Sequence, residues 1–336
     1  MAAPRIVVLG AGAFGTALAT SWTRAGRDVV LWGRDAAAMA ELAAARTNAR
    51  ALPGIPLDPR LRVTADLADI GGADVLVACV PAQHARALFG RIAACGMAPL
   101  PVVTCAKGIE QTTRRFMCEV IVDCLPGFPA AILSGPSFAA DLARGLPTAL
   151  TLACADAARA ATLATLFATR TLRVYHATDV RGVEIGGAAK NVLAIACGIA
   201  AGRGLGASAG AALVARAFAE LSRFGAALGA QAETLMGLSG LGDLVLTCNS
   251  PQSRNYALGF ALGKGDSLAA IQSRGALAEG VATARVLQDL ARDKGIDMPI
   301  CRAVDTVVNE AGDIGAAVAA LMSRPPKAEQ AAEGGA

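Results

Sequence analysis

The sequence predicts an α/β protein in which a doubly wound sheet is followed by an all-helical C-terminal domain. Three observations support this prediction. Short apolar runs alternate with helix-length stretches in the first half, a glycine-rich loop follows the first run, and residues 184–323 contain no series of strand-like runs. Apolar runs of four to seven residues at such spacing are typical of parallel strands buried on both faces. The 336 residues are enough for two domains with sizeable cores.

Six apolar runs predict the strands, and we expect all six to be parallel. They are RIVVLG (5–10), DVVLWG (28–33), DVLVACV (74–80), VVTCAKG (102–108), AAILSG (130–135) and TALTLA (148–153). Residues 13–25 have helical spacing between the first two runs. We place the sheet domain in residues 1–179, the helical domain in residues 180–324 and a loose polar tail in residues 325–336.

The first strand ends in GAGAFG, which contains the pattern G-x-G-x-x-G. In this context Gly10 permits a tight turn, Gly12 lets the backbone approach a pyrophosphate, and Gly15 allows the helix to pack close to the strand. The pattern alone also occurs in plain turns, but here it follows a predicted strand and opens a predicted helix. The sequence therefore predicts a Rossmann-type dinucleotide site.

The second strand should end beside the adenosine ribose, and its tip contains Arg34 and Asp35. An arginine at this place accommodates the 2′-phosphate of NADPH, whereas an acid bonds the 2′-hydroxyl of NADH. Arg34 therefore favours NADPH and Asp35 keeps NADH open. A solvated charge pair at a turn is the alternative interpretation.

Two of the five lysines lie where an ammonium group is unexpected. Lys107 follows the run VVTCA, at the carboxyl end of a predicted strand, where open α/β sheets bind ligands. Lys190 lies inside EIGGAAKNVLAIACGIAAG (184–202), which is otherwise small or apolar, and Asn191 is a candidate for holding it in position. Burial lowers the pKa of a lysine, so that it can exchange a proton with a substrate oxygen.

Three alternatives compete with a chemical role for Lys190, and the first is a buried helix whose lysine is satisfied by a structural partner. Residues 185–202 are long enough to cross a membrane, but a central lysine would cost roughly 2.5–3.5 kcal/mol and the many Ala and Gly offset little of it. A surface lysine that extends its ammonium group into solvent is the third alternative. We expect no stable membrane insertion.

Composition excludes some other classes of function. The net charge of +4 is spread along the chain, and no basic stripe interleaved with aromatics predicts nucleic-acid binding. His84 and His176 lack the companions of a metal site, so we expect no metal. The nine scattered cysteines contain no C-x-x-C pair, and MAAPRIVVLG runs directly into the first strand. Both features predict a reducing, cytoplasmic location without a signal peptide.

A second anion site is predicted near residues 247–263. Ser253, Arg254 and Asn255 follow a turn and precede a helical stretch, so a hydroxyl, a guanidinium and an amide meet the N–H groups of a helix start. An ordinary N-cap is the alternative. Asp243 lies in a Gly-rich turn, where an exposed aspartate is the simpler interpretation. SGPSFA (134–139) follows a strand end and offers Ser137 near the same edge of the sheet.

Together these segments resemble the NAD(P)-dependent glycerol-3-phosphate dehydrogenases of bacterial type. The resemblance extends over nearly the whole chain except the tail. The matching segments are GAGAFGTALA, WGRD, VPAQ, AKGIE, SGPSFA, EIGGAAKNVLAIACGIAAG, GLSGLGDLVLTC, SRN and AEG. The Lys190 segment and SRN are the specific ones, whereas G-x-G-x-x-G is shared with many families.

The resemblance implies reversible reduction of dihydroxyacetone phosphate to sn-glycerol 3-phosphate with NADPH or NADH, which supplies glycerophospholipid synthesis. It implies that Lys190 is the proton donor and acceptor, and that Lys107 contacts both cofactor and substrate. The substrate positions that it implies are Lys107, Gly135, Ser137, Lys190, Asp243, Ser253, Arg254 and Asn255. Beside the three glycines, the cofactor positions are Ala13, Phe14, Arg34, Lys107, Ala139, Arg254, Leu277 and Glu279. Similar proteins more often carry Ser or another small residue at Ala13, so this loop relies more on backbone N–H groups.

Two other interpretations stay open. Another lysine-dependent dehydrogenase, of the 3-hydroxyacid or 6-phosphogluconate type, would pair the same two domains with a lysine on a helix. A non-catalytic NAD(P) sensor would need neither two site lysines nor a second anion site. We also expect a homodimer through the helical domain, because its Ala-rich faces can pack closely. The sequence does not fix the preference between the two cofactors.

Overall fold

The computed structural model describes residues 4–273 and 278–325. Within these residues the chain forms ten strands and fifteen α-helices. The strands are β1 (Arg5–Leu9), β2 (Asp28–Trp32), β3 (Thr47–Asn48), β4 (Leu52–Pro56), β5 (Arg62–Thr64), β6 (Val75–Ala78), β7 (Val102–Thr104), β8 (Ala130–Ser134), β9 (Thr148–Cys154) and β10 (Leu172–Ala177).

Six helices lie among the strands, and the remaining nine follow β10. The first six are α1 (Ala13–Arg24), α2 (Ala36–Ala45), α3 (Ala82–Ala93), α4 (Met117–Cys124), α5 (Ala139–Arg144) and α6 (Ala157–Phe167). The others are α7 (Val180–Gly202), α8 (Ala207–Ala227), α9 (Ala232–Met236), α10 (Asp243–Cys248), α11 (Arg254–Gly263), α12 (Leu268–Ser273), α13 (Glu279–Asp293), α14 (Pro299–Asn309) and α15 (Ile314–Met322). A 3₁₀ turn spans Leu67–Ile70 and a π-helical turn spans Leu238–Gly242.

Eight strands form one sheet in the order β10-β9-β8-β7-β6-β1-β2-β5, and β3 and β4 form a separate hairpin. Six neighbouring strands of this sheet are parallel, namely β8, β7, β6, β1, β2 and β5. The predicted fold class, a Rossmann-type doubly wound sheet followed by helices, is therefore confirmed. The prediction that residues 148–153 form a parallel strand is wrong, because β9 pairs antiparallel with β8 and β10 then runs parallel to β9.

The short helix α5 explains this reversal. Its six residues extend only about 9 Å, too little to carry the chain back across the sheet. Strand β9 therefore starts at the edge where β8 ends, and Ser134 pairs with Thr151. Burial on both faces makes the apolar run TALTLA look the same in either direction, so the sequence pattern did not distinguish them.

Alternate residues of each strand supply cores on both faces of the sheet. In β1, Ile6 and Val8 pack on the side of α1, whereas Val7 and Leu9 pack on the side of α3 and α4. The central strands β1, β6 and β7 are thereby buried on both faces, whereas the edge strand β10 stays partly exposed. Binding groups can therefore gather at the carboxyl ends of the strands.

Helix α7 is the centre of the helical domain. It is long and apolar enough to cross a membrane, but 89% of its most apolar window is buried inside the protein. Glycines allow the close approach of α11, since a Cβ at Gly198 would lie 2.1 Å from Tyr256 O and one at Gly259 would lie 2.1 Å from Ile195 O. The interpretation of this segment as a membrane span is therefore wrong, because its small residues serve helix packing.

The direction of α7 brings Lys190 to the carboxyl edge of the sheet. Because β9 and β10 run opposite to the other strands of the sheet, α7 begins at the edge where those other strands start, away from their carboxyl ends. Val183 packs against Ile132 in the middle of β8, and a Cβ at Gly187 would lie 3.1 Å from the Oγ of Ser134 at its end. One helical turn further along, Lys190 lies just beyond the strand.

No apolar run predicted the three-residue strand β5, the hairpin β3–β4 or the edge strand β10. The described part of residues 184–325 contains no strand, as the sequence predicts. The last strand ends at Ala177 and Asp179 caps α7, so we propose residues 1–179 and 180–324 as the two domains. The predicted tail lies outside the described residues from position 326 onward.

Candidate active site

The glycine loop (residues 10–15) connects β1 to α1. Gly10 has a φ of +119°, and a Cβ there would lie 2.7 Å from Cys79 O, directly after the neighbouring strand β6. A Cβ at Gly15 would lie 2.0 Å from Gly10 O, so the helix can leave the strand this closely only at a glycine. In contrast, the position of a Cβ at Gly12 has no atom within 4 Å.

The glycine loop fits the pyrophosphate of a dinucleotide. Gly12 is the N-cap of α1 and supplies no side-chain cap, so the first N–H groups of the helix remain available to an anion. Ala13 and Phe14 are the first two residues of that helix, and Phe14 also packs against the core. The open space at Gly12 is where a phosphate would approach the backbone.

Arg34 and Asp35, the two charged residues that follow β2, have different surroundings. Asp35 is the N-cap of α2, and its Oδ1 accepts a hydrogen bond of 3.1 Å from Ala38 N. Arg34 is exposed beside it. The carboxylate is thus already used by the helix, which favours Arg34 as the group that meets the ribose or its phosphate.

The lysine cluster (Lys107, Lys190, Asp243 and Thr247) lies at the carboxyl edge of the sheet. Lys107 Nζ donates to Asp243 Oδ2 at 2.6 Å and to Gly135 O at 3.0 Å. Lys190 Nζ donates to Asp243 Oδ1 at 2.8 Å and to Thr247 Oγ1 at 2.7 Å. One carboxylate therefore holds both ammonium groups.

Burial and charge tune these groups against one another. The side chains of Lys190 and Asp243 are 8% and 1% exposed. Burial, with a smaller effect of the Lys107 charge, lowers the pKa of Lys190 to about 8 although the Asp243 carboxylate opposes the shift. Burial alone would raise the pKa of Asp243, but the two ammonium groups outweigh it and lower that pKa. Lys190 can therefore change its protonation near neutral pH while Asp243 stays ionised.

The structure corrects two interpretations and adds one residue. Lys190 is not a surface lysine, and Asp243 is not an exposed turn residue. A π-helical turn ends at Gly242, and α10 begins directly after it with Asp243, whose side chain is buried between the two lysines. Thr247 was missed, although its spacing of four residues from Asp243 in a helical run places both side chains on one face.

A chain of amides runs beneath the cluster. Asn191 Nδ2 donates to Lys107 O at 2.8 Å, Asn255 Nδ2 donates to Asn191 Oδ1 at 2.8 Å, and Gly280 N donates to Asn255 Oδ1 at 3.0 Å. Asn191 therefore fixes the backbone of Lys107, whereas the sequence led us to expect that it holds the ammonium group of Lys190. Asn255 is buried and directs its amide inward, so only its remaining N–H is available to a substrate.

The other predicted substrate residues surround the cluster. Gly135 and Ser137 follow β8, and Ser137 Oγ donates to Gly135 O at 3.4 Å. Ser253 is the N-cap of α11, and its Oγ accepts from Tyr256 N at 3.2 Å. Arg254 is the first residue of that helix and is exposed. The ordinary capping role of Ser253 and an anion site at Arg254 are thus compatible.

Two of the remaining predicted cofactor residues, Ala139 and Glu279, begin helices. Ala139 begins α5, close to the edge that carries Gly135. Glu279 begins α13, and its Oε1 accepts a hydrogen bond of 3.1 Å from Ala82 N at the start of α3. Glu279 thus connects the helical domain to the sheet domain. Leu277 lies outside the described residues.

Comparison with known proteins gives the same assignment for both halves of the chain. The family model for the N-terminus of NAD-dependent glycerol-3-phosphate dehydrogenase matches residues 5–160, and the model for its C-terminus matches residues 179–319. The chain is 57% identical over 328 residues to a glycerol-3-phosphate dehydrogenase of Beijerinckia indica, which covers 97% of this chain and 98% of that protein. It is 58% identical over 325 residues to one from a Bradyrhizobium species, with coverage of 97% and 98%.

A solved structure agrees with these relatives. The glycerol-3-phosphate dehydrogenase of Coxiella burnetii superimposes with a TM-score of 0.92 at 36% identity, covering 96% of this chain and 99% of that one. The two family models together account for most of the chain. This protein therefore belongs to the NAD-dependent glycerol-3-phosphate dehydrogenase family.

Proposed function

We propose that Lys190 is the proton donor and acceptor for the reaction of this family, the reversible NAD(P)H-dependent reduction of dihydroxyacetone phosphate to sn-glycerol 3-phosphate. The observation that carries this proposal is the environment of Lys190. Its ammonium group is buried, is held by Asp243 and Thr247, and has a pKa lowered to about 8. Such a group gives up a proton far more readily than an exposed lysine or any arginine.

When bound, the reduced nicotinamide supplies the hydride. Negative charge then develops on the ketone oxygen, and Lys190 neutralises it by giving up its proton. Lys107 adds a second positive charge at the same place. Asp243 keeps the two ammonium groups oriented and offsets their mutual repulsion, because its two oxygens bind one lysine each.

The phosphate of the substrate is proposed to bind at the start of α11. Arg254 is the exposed first residue of this helix, and its guanidinium adds to the positive end of the helix dipole. Ser253 and Asn255 flank this site, and Gly135 and Ser137 close it from the strand edge. A phosphate held at the start of α11 would orient the ketone at the other end of the substrate toward Lys190.

For the dinucleotide, we propose the glycine loop with Ala13 and Phe14, followed by Arg34, Ala139 and Lys107. Arg254, Glu279 and Leu277 complete the proposed set from the helical domain. The family uses NADH or NADPH. Arg34 is the residue of this chain that distinguishes them.

We further infer a cytoplasmic enzyme that supplies glycerophospholipid synthesis. We also propose a homodimer through the helical domain, where α8 and α15 expose many alanines. Sedimentation of the purified protein at several concentrations would test this, since a single species of monomer mass contradicts it.

Mixing the purified protein with NADPH or NADH and dihydroxyacetone phosphate is the direct test of activity. We expect loss of nicotinamide absorbance that depends on both components. Oxidation only of 3-hydroxyacids or 6-phosphogluconate, in parallel mixtures with NADP+ or NAD+, would contradict the proposed substrate. Dinucleotide binding without turnover of any of these substrates would indicate a sensor instead.

A further inference from the structure

Asn48, on the short strand β3, contacts the glycine loop from a distant part of the chain. Its Nδ2 donates to Ala11 O at 2.9 Å and to Thr16 Oγ1 at 2.8 Å. Its Oδ1 accepts from Ala51 N at 3.2 Å. The residue is only 8% exposed, and both N–H groups of its amide are used. It therefore joins the two ends of the turn that contains Gly12.

The bond to Ala11 fixes the direction of one particular N–H group. The carbonyl of Ala11 and the N–H of Gly12 belong to the same planar trans peptide, so they point in opposite directions. Because Asn48 holds the carbonyl toward the hairpin β3–β4, the Gly12 N–H points away from it. Gly12 itself is exposed, with open space around the position of a Cβ.

An unfixed peptide at this place would weaken anion binding. If it rotated, the carbonyl oxygen of Ala11 would face the pyrophosphate and the Gly12 N–H would be lost as a donor. The bond to Thr16 anchors the amide to α1, where Thr16 N closes the first helical turn on Gly12 O at 2.9 Å. The amide thus orients the loop relative to the helix.

We propose that Asn48 is a positioning residue for the dinucleotide: it orients the Ala11–Gly12 peptide so that its N–H can bind the pyrophosphate. The inference rests on the dinucleotide site of the proposed function. It concerns a residue outside the G-x-G-x-x-G pattern, on a hairpin that the sequence did not predict. Since the pyrophosphate is common to NADPH and NADH, Asn48 serves both equally.

Asn48→Asp tests the proposal with little change in shape. The new carboxylate can still accept from Ala51 N and from the Thr16 hydroxyl, but it cannot donate to Ala11 O. We expect the dissociation constants of NADPH and NADH to rise by the same factor, about tenfold or more, the scale of a lost buried hydrogen bond. The turnover number at saturating dinucleotide and the KM for dihydroxyacetone phosphate should stay within about twofold, as for a group that acts only on binding.

Three further variants separate positioning from charge and from general packing. Asn48→Ala removes the donor without adding a charge and should also weaken both dinucleotides. Thr16→Val keeps the bond to Ala11 and loses only the anchor to α1, so it should weaken both dinucleotides less than Asn48→Ala does. Asn249→Asp removes an exposed amide that donates to Val245 O at 2.8 Å, and it should have no effect.

Calorimetric titration with each dinucleotide is the main measurement, and thermal unfolding without dinucleotide shows whether each variant is folded. Unchanged binding in Asn48→Asp and Asn48→Ala would overturn the proposal, as would equal weakening in Thr16→Val. If Asn48→Asp does not fold, Asn48→Ala and Thr16→Val still decide. Absence of binding by the unaltered protein would overturn the proposed function as well, so the two failures are distinguishable.

Discussion

The glycine loop and the lysine cluster both lie beyond the carboxyl ends of buried strands, but they are built in different ways. The loop presents backbone N–H groups and empty space, within six consecutive residues. The cluster brings together two ammonium groups, from Lys107 and Lys190, that share the buried carboxylate of Asp243, and Thr247 adds a neutral hydroxyl. The first is suited to a ligand whose charge is constant, and the second to a group whose charge changes during the reaction.

The difference teaches that the two sites fail for opposite reasons. Adding a single methyl group harms the glycine loop, because its function requires space. Removing a charge harms the lysine cluster, because each member sets the pKa or position of another. Four predictions follow this comparison, from the largest expected effect to the smallest.

Lys190→Ala should lower turnover by about a hundredfold or more, the scale on which general acid catalysis acts. Dinucleotide binding should remain nearly unchanged, because the glycine loop does not depend on the cluster. Steady-state kinetics and calorimetric titration measure the two quantities. Lys294→Ala, at an exposed lysine, is the matched control. Full turnover in Lys190→Ala would remove Lys190 from the mechanism.

Asp243→Asn should shift the pH dependence of ketone reduction. The Asp243 carboxylate raises the pKa of Lys190, so its loss moves that pKa below about 8 and the protonated form is depleted at lower pH. The alkaline limb of the turnover profile should move toward acid, and each pKa unit corresponds to about tenfold in rate on that limb.

The control for this shift is Asp305→Asn, which removes another buried aspartate that pairs with Arg285 at 3.1 Å. It should leave the profile in place. An alkaline limb that stays in place in Asp243→Asn, or moves to higher pH, would show that Asp243 does not set the protonation of Lys190.

Gly12→Ala and Gly15→Ala should separate binding from stability within one loop. The methyl group at position 12 meets no atom but occupies the phosphate space, so dinucleotide affinity should fall by about tenfold, ~1.4 kcal/mol, with unchanged thermal unfolding. The one at position 15 would lie 2.0 Å from Gly10 O, so the fold should lose about 1–3 kcal/mol. If both variants lowered the unfolding temperature equally, the space at Gly12 would have no special role.

Arg34→Ala should lower the affinity for NADPH by about threefold to tenfold, the scale of an exposed charge-assisted contact. The affinity for NADH should hardly change, because it lacks the 2′-phosphate that Arg34 would meet. Titration with both dinucleotides, beside the exposed control Arg170→Ala, measures the ratio. An equal loss for NADH and NADPH would mean that Arg34 does not read the 2′-phosphate.

The sequence revealed those parts of the site whose residues are neighbours in the chain. GAGAFG predicted its own turn, and Ser253 was predicted as a helix start because capping depends on neighbouring residues. Asp243 looked exposed because glycines surround it, and Asn255 looked available because nothing local shows that Asn191 and Gly280 take its amide. The reversed direction of β9 was missed because a run buried on both faces contains no sign of its direction.

The sequence by itself determined the glycine loop, the two-part architecture and the presence of an ammonium group in an apolar helix. These depend on local sterics and on the period of apolar residues, which act over a few positions. Only the tertiary structure decided that Lys107 and Lys190 share Asp243, that Thr247 also accepts from Lys190 and that Asn48 contacts the loop. A hydrogen bond between distant residues depends on how whole elements pack, and burial, which lowers the pKa of Lys190, exists only once they have packed.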